Sequence, residues 1–132
     1  MEEMKYRVIL IEDNAADVMM ITRALEQEAP CEITVFSDGD KAYRYFQNRP
    51  DDEDLPELVV LDLNLPIRDG TEVLDLIRRH PKLSTILVAI VSSSPKDVMK
   101  GMASQADCYV TKPSDFDKYL AIGKELLDCI KR

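Results

Sequence analysis

The chain is expected to fold as an α/β domain, a doubly wound five-stranded parallel sheet flanked by five helices. Three observations predict this class. Short apolar runs alternate with stretches of helical periodicity along the whole chain. Most of those runs are continuous, without the polar alternation of a strand that shows one face to water, so helices should cover both faces. At 132 residues, the chain is long enough to bury most of its apolar surface as one domain.

Each element follows in order. "YRVILIE" (6–12) is an apolar run that ends in acid, and 15–28 then places Val18, Ile21, Thr22 and Leu25 on one helical face. "CEITVFS" (31–37) alternates weakly, and 39–48 carries Ala42, Tyr43 and Phe46 at helical spacing. "NRPDDEDLPE" (48–57) breaks the rhythm with prolines and an acidic run, as a solvated loop does. "LVVLDL" (58–63) is the strongest buried strand, and the helix over 70–80 repeats Val73, Leu74 and Ile77 before stopping at His80-Pro81. "TILVAIV" (85–91) is the fourth run; "SPKDVMKGMASQ" (94–105) is a helix with a serine cap and proline at its first position. "CYVT" (108–111) is a short fifth strand. A last helix begins at a box-like Ser114-x-x-Asp117 and repeats Phe116, Tyr119, Leu120, Gly123, Leu126, Leu127 and Ile130 along one face.

Composition narrows the function. A net charge of −8 argues against a nucleic-acid partner, because phosphate backbones select basic patches. Cys31, Cys108 and Cys129 have no metal-ligand spacing and cannot make a zinc site with the one histidine, His80. They are expected to be reduced thiols of a cytoplasmic protein. No apolar run reaches membrane-spanning length, and no signal peptide opens the chain.

Right-handed crossovers put the carboxyl ends of all strands on one edge, where open α/β sheets bind ligands. Glu12 and Asp13 end the first strand, Asp62 ends the third, Ser92 follows the fourth and Lys112 follows the fifth. Three like charges so close raise each other's pKa unless a divalent cation neutralises them, and oxygen-only ligands suit magnesium. A carboxylate beside a metal and a lysine is placed to attack phosphorus, since both cations stabilise the transition-state charge. Asp62 therefore reads as a nucleophile.

"LIEDN", "LDLNLPIRDG", "VSSS" and "CYVTKP" together resemble the receiver domain of two-component response regulators, over nearly the whole chain. The resemblance implies a flavodoxin-like sheet of strand order 2-1-3-4-5. It implies that Asp62 is the phosphoacceptor, and that magnesium is held by Asp13, Asp62 and the Asn64 main-chain carbonyl, with Glu12 acting through water. Lys112 and Ser92 would contact the phosphoryl group, and Ser92 and Tyr109 would form the switch. Pro66, Gly70 and Pro113 would be structural, Pro113 following a cis bond. Gln105-Ala106 departs from the Gly-Ala that many receivers carry before the fifth strand. More narrowly, "EDNAADV", "DLNLPIRDG" and the acidic loop are similar to stand-alone regulators of phytochrome-type sensor histidine kinases. The implied partners are such a kinase and a downstream or phosphotransfer protein. The implied output face combines the 94–105 helix, the fifth strand and the last helix around Val98, Met102 and Tyr119, and this face would also support a homodimer.

Three other classes fit the residues less well. An Asp-nucleophile phosphatase would carry a second acid two residues on, where Asn64 stands. A degenerate, phosphorylation-independent receiver would have lost site residues, and this chain keeps them. A flavin module wants a hydroxyl- and glycine-rich phosphate loop, and "EDNAAD" would repel phosphate.

Overall fold

The computed structural model describes residues 4–63, 65–93 and 105–131. In order they form β1 (Tyr6–Ile11), α1 (Ala15–Glu26), β2 (Cys31–Phe36), α2 (Gly39–Asn48), β3 (Leu58–Leu61), α3 (Gly70–Arg79), β4 (Val88–Ser92), β5 (Cys108–Thr111) and a C-terminal helix (Phe116–Lys131). The five strands make one parallel sheet in the order β2-β1-β3-β4-β5, as expected. Asn64 and nearly all of the helix expected over 94–105, with Val98 and Met102, lie outside the described residues.

The continuous apolar runs have a simple cause. Successive strand residues point to opposite faces. Val8, Leu10, Leu58, Val60, Ala89, Val91 and Val110 enter a core shared with α1 and the C-terminal helix. Ile9, Ile11, Val59, Leu61, Val88 and Ile90 enter a second core under α2 and α3. β2 is an edge strand and is half exposed, which is why its sequence alternates. α1, α2 and α3 start on side-chain caps: the Asp17, Lys41 and Thr71 N–H groups donate to Asn14, Asp38 and Asp69 at 3.0, 2.8 and 2.8 Å. Each such cap is worth about 1 kcal/mol.

Several expectations change in detail. β4 begins after the first residues of its apolar run, because Leu83 and Ile86 are core residues of a preceding turn. That turn is held by Arg78, whose Nη1 donates to the Ile86 carbonyl at 2.7 Å. α1 buries Met20, Ile21, Ala24 and Leu25, a stripe shifted from the expected one. Asp115 replaces the expected Ser114 cap, accepting from the Lys118 N–H at 3.1 Å. Phe116 is exposed, since it precedes the helical turn that reaches the core. In the acidic loop, Asp51, Asp52 and Asp54 are exposed as expected, but Arg49 is buried and donates to the Glu53 carbonyl at 2.6 Å, pinning the loop's path.

The thiol expectation is corrected more strongly. Cys108 and Cys129 form a disulfide joining β5 to the C-terminal helix, and only Cys31 is free. A separation of 21 residues hides this pairing; the packing of the helix on the sheet brings the Cα atoms to 6.4 Å, within bridging range. Among the described residues, no helix is long and apolar enough to cross a membrane.

Gly123 sits in mid-helix, where glycine ordinarily costs about 0.5–1 kcal/mol. A Cβ there would lie 1.9 Å from the Ala24 carbonyl oxygen, so its absence sets how closely the C-terminal helix approaches α1. Backbone cannot yield as a flexible side chain can. Gly123→Ala is expected to lower stability by about 1–3 kcal/mol through overpacking. Urea unfolding checks this; an unchanged or raised midpoint would contradict the close approach.

Candidate functional site

The parity that builds the first core also builds the site. Glu12, Asp62 and Lys112 each stand two residues beyond an inward-facing Leu10, Val60 and Val110. By alternation they continue the same stripe past the strand ends, toward α1 and the C-terminal helix. The Asp62 N–H still donates to the Ile11 carbonyl at 3.1 Å, so this carboxylate is carried by an extension of the β1–β3 pairing. Glu12 and Asp62 are buried, with 1% and 6% of their surface exposed. Asp13 is exposed, and carboxylate oxygens of Glu12, Asp13 and Asp62 all lie within 4.8 Å of one another.

Lys112 answers this negative charge. Its Nζ lies 2.6 Å from Glu12 Oε1, and donates to Asp62 Oδ2 and Asp17 Oδ2 at 3.0 Å each. Glu12 Oε2 accepts from the Asn14 N–H at 3.2 Å, and Asp17 Oδ1 accepts from the Tyr119 hydroxyl at 2.7 Å. Burial alone would lower the Lys112 pKa, but the Glu12, Asp62 and Asp17 carboxylates more than offset it and hold the ammonium above the usual lysine range. Burial pushes the Glu12 carboxyl up to about 7; Asp62 adds to the rise, while Lys112 and the Asn14 N–H oppose it. Burial and then Asp17 raise the Tyr119 hydroxyl above the ordinary tyrosine value.

Ser92 is fully buried at the end of β4, on the parity of Val88 and Ile90, and its carbonyl accepts the Lys112 N–H at 3.0 Å. Tyr109 is half-buried and packs against the core under α2 and α3. Ser92 and Tyr109 therefore belong to the other face of the sheet from Glu12, Asp62 and Lys112. The Lys112–Pro113 bond is trans, since the described residues contain no cis peptide bond; this corrects the cis geometry implied by the resemblance. Trans is the intrinsically favoured isomer. From it Lys112 still reaches three carboxylates. A Cβ on Gly70 would lie 2.4 Å from the Asp62 carbonyl oxygen, so α3 starts directly against the backbone of Asp62.

Between them runs a tight loop. The Arg68 N–H donates to the Pro66 carbonyl at 2.7 Å around Ile67, whose φ of 68° is rare for a β-branched residue. Arg68 is clamped to α2: its Nη2 lies 3.2 Å from Asp40 Oδ1, and its guanidinium lies 3.9 Å from the centre of the Tyr43 ring. This clamp holds the strained turn beside Asp62.

Sequence reasoning gave no role at the site to Asp17, Tyr119 or Arg68. Asp17 stands in the first turn of α1, and that position beside the strand end was the available signal. Tyr119 was read on the apolar face of the last helix and also beside an output surface. It is buried, as the apolar face predicts, where the helix packs against α1, and its bond to Asp17 was not foreseen.

The donor set is carboxylate oxygen throughout, which is what a hard divalent cation takes. Clustered acids and a lysine at the carboxyl edge of a 2-1-3-4-5 parallel sheet are the arrangement of a receiver domain. The chain belongs to the response regulator receiver domain family, whose pattern matches residues 8–123. It is a phosphorylation-competent receiver with its acidic cluster intact. It is 34% identical over 110 residues to the response regulator Rcp1 of Synechocystis sp., covering 80% of this chain and 75% of that protein. Its structure is similar to the phosphorylated cyanobacterial phytochrome response regulator RcpA, with TM-score 0.84, 32% identity and coverage of 95% and 93% of the two chains. It is also similar to the Mn(2+)-bound form of Rcp1, with TM-score 0.80, 28% identity and coverage of 91% and 90%.

A pH prediction follows from Glu12. Its folded pKa is raised above that of the unfolded chain, so stability is greatest below the unfolded value near 4.5 and falls as pH rises through about 7. Glu12→Gln removes that charge. The variant is expected to match the parent near pH 5 and to exceed it at pH 8 by about 1–3 kcal/mol without divalent cations. Denaturant unfolding at the two pH values checks it; equal stability at pH 8 would contradict the buried charge.

Proposed function

We propose that Asp62 accepts a phosphoryl group from a phosphohistidine of a sensor histidine kinase, and that the receiver signals through phosphorylation-dependent protein contacts. The observation that carries this reading is a buried aspartate at a strand end, 3.0 Å from a lysine and clustered with two further acids. An Asp62 carboxylate oxygen attacks phosphorus, the oxygen–phosphorus bond forms, the nitrogen–phosphorus bond breaks, and the departing imidazole takes a proton. Lys112 holds positive charge where the phosphoryl oxygens develop negative charge. Asp13, Asp62 and the Asn64 main-chain carbonyl would hold magnesium, with Glu12 acting through water. When bound, that ion supplies the charge neutralisation that lets an anionic carboxylate meet an anionic phosphoryl group. Ser92 would take a phosphoryl oxygen, and Tyr109 would follow it inward from its half-buried position.

The likeness to Rcp1 and to a cyanobacterial phytochrome response regulator supports a phytochrome-type kinase as the partner. Acetyl phosphate with magnesium is expected to add one phosphoryl group by intact mass, and Asp62→Asn to abolish the addition. Equal labelling of the Asn variant would overturn the assignment.

The output face combines the 94–105 segment, β5 and the C-terminal helix, and self-association through it is the proposed response to phosphorylation. Isologous dimers are the commonest use of one such face. Light scattering with magnesium is expected to show a larger mass with beryllofluoride, a phosphoryl mimic, than without. A monomer in both conditions would reject the dimer and leave the phosphoryl chemistry standing.

A further inference from the structure

Lys112 is shared among three carboxylates: it donates to Asp17 and Asp62 at 3.0 Å each and lies 2.6 Å from Glu12 Oε1 as an ion pair. A phosphoryl oxygen on Asp62 would compete with them for the same ammonium. Engaging it draws the ammonium away from at least one carboxylate that it now holds. The three do not cost the same to release. The Glu12 side chain is 1% exposed, and a buried carboxylate stripped of its cation costs several kcal/mol. Asp62 carries the phosphoryl group itself, so the ammonium stays near it. The Asp17 side chain is 24% exposed and lies on the first turn of α1, where water and the helix N-terminus can stabilise its charge. Asp17 is the carboxylate to be released.

Its other oxygen is already committed. Asp17 Oδ1 accepts the Tyr119 hydroxyl at 2.7 Å, across 102 residues of sequence, from the first buried turn of the C-terminal helix. The Lys112–Asp17–Tyr119 chain thus connects the phosphoryl-binding cation to a helix that otherwise meets α1 through apolar contacts, the Gly123–Ala24 approach and one bond from the Gln27 side chain at the end of α1 to the Leu120 carbonyl, 3.1 Å. This connection runs on the sheet face opposite Ser92 and Tyr109.

We propose that Asp17 is a positioning residue for Lys112, and that its release on phosphorylation is passed through Tyr119 to the C-terminal helix. The proposal rests on the reading of Asp62 as phosphoacceptor. Before phosphorylation Asp17 holds the ammonium in competition with the incoming group. Afterwards it is free to turn toward solvent, and the Tyr119 hydroxyl must follow it or find water.

The test uses the full chain at saturating magnesium, with beryllofluoride as the probe. Bound beryllofluoride is counted by fluorine NMR, and amides of Tyr119, Ile122 and Gly123 are followed by proton–nitrogen NMR. In the parent, loading should shift all three amides. Tyr119→Phe should load with an affinity within about twofold of the parent, while the shifts at those amides fall by at least about half. Asp17→Asn keeps an acceptor for Tyr119 but removes the competing charge, so it should bind beryllofluoride at least about threefold more tightly. Parent-sized shifts in Tyr119→Phe overturn the link to the helix, and weaker or unchanged binding by Asp17→Asn overturns the positioning role. Failure of the parent chain to load overturns the phosphoacceptor reading itself, and this link with it.

Discussion

The Lys112 ammonium, held among Glu12, Asp62 and Asp17, is the constraint on which the carboxyl edge of this protein depends. Two of those carboxylates are almost wholly removed from water, a placement that costs several kcal/mol per ion unless a cation meets it. One lysine does not balance three acids, and Asp13 adds a fourth at the rim. Burial, with a smaller addition from the Asp62 charge, drives the Glu12 carboxyl up to about 7 even with an ammonium 2.6 Å away. A site left in that state is poised for further positive charge. The family to which the chain belongs uses such an acidic cluster for phosphorylation chemistry.

The scaffold that makes this placement tolerable is stiff. Strand ends rather than loops carry Glu12, Asp62 and Lys112, and their backbones are locked by ladder-like bonds from Asp62 to Ile11 and from Lys112 to Ser92. α3 abuts Asp62 because Gly70 has no Cβ, and the Ile67 turn is braced by Arg68 against Asp40 and Tyr43. Positively twisted, β-branched backbone of this kind persists only where its surroundings over-determine it, and it tends to occur beside functional groups.

Apolar packing joins the C-terminal helix to the core under α1, the Cys108–Cys129 disulfide joins it to β5, and two hydrogen bonds join it to α1, from the Tyr119 hydroxyl to Asp17 and from the Gln27 side chain to the Leu120 carbonyl. Of these contacts, the one through Asp17 ends at the ionic cluster.

Periodicity and unbroken apolar runs were enough to read the sheet, its order of elements and the strand-end position of Asp62, because those properties are local or follow from crossover handedness. The motifs around Glu12, Asp13, Asp62, Ser92 and Lys112 were legible for the same reason: each stands just past a recognisable strand. Cys108 with Cys129, and Asp17 with Tyr119, were not. Their partners are 21 and 102 residues apart, and nothing local distinguishes a bonded tyrosine from one on an output face. Which side of a helix meets which neighbour is set by packing, here by the Gly123–Ala24 approach that brings Tyr119 over α1. The sequence by itself determined the fold and which charged groups stand at the strand ends. Tertiary packing alone decided which side chains close around that chemistry, since a hydrogen bond between distant residues exists only once the elements carrying them have docked.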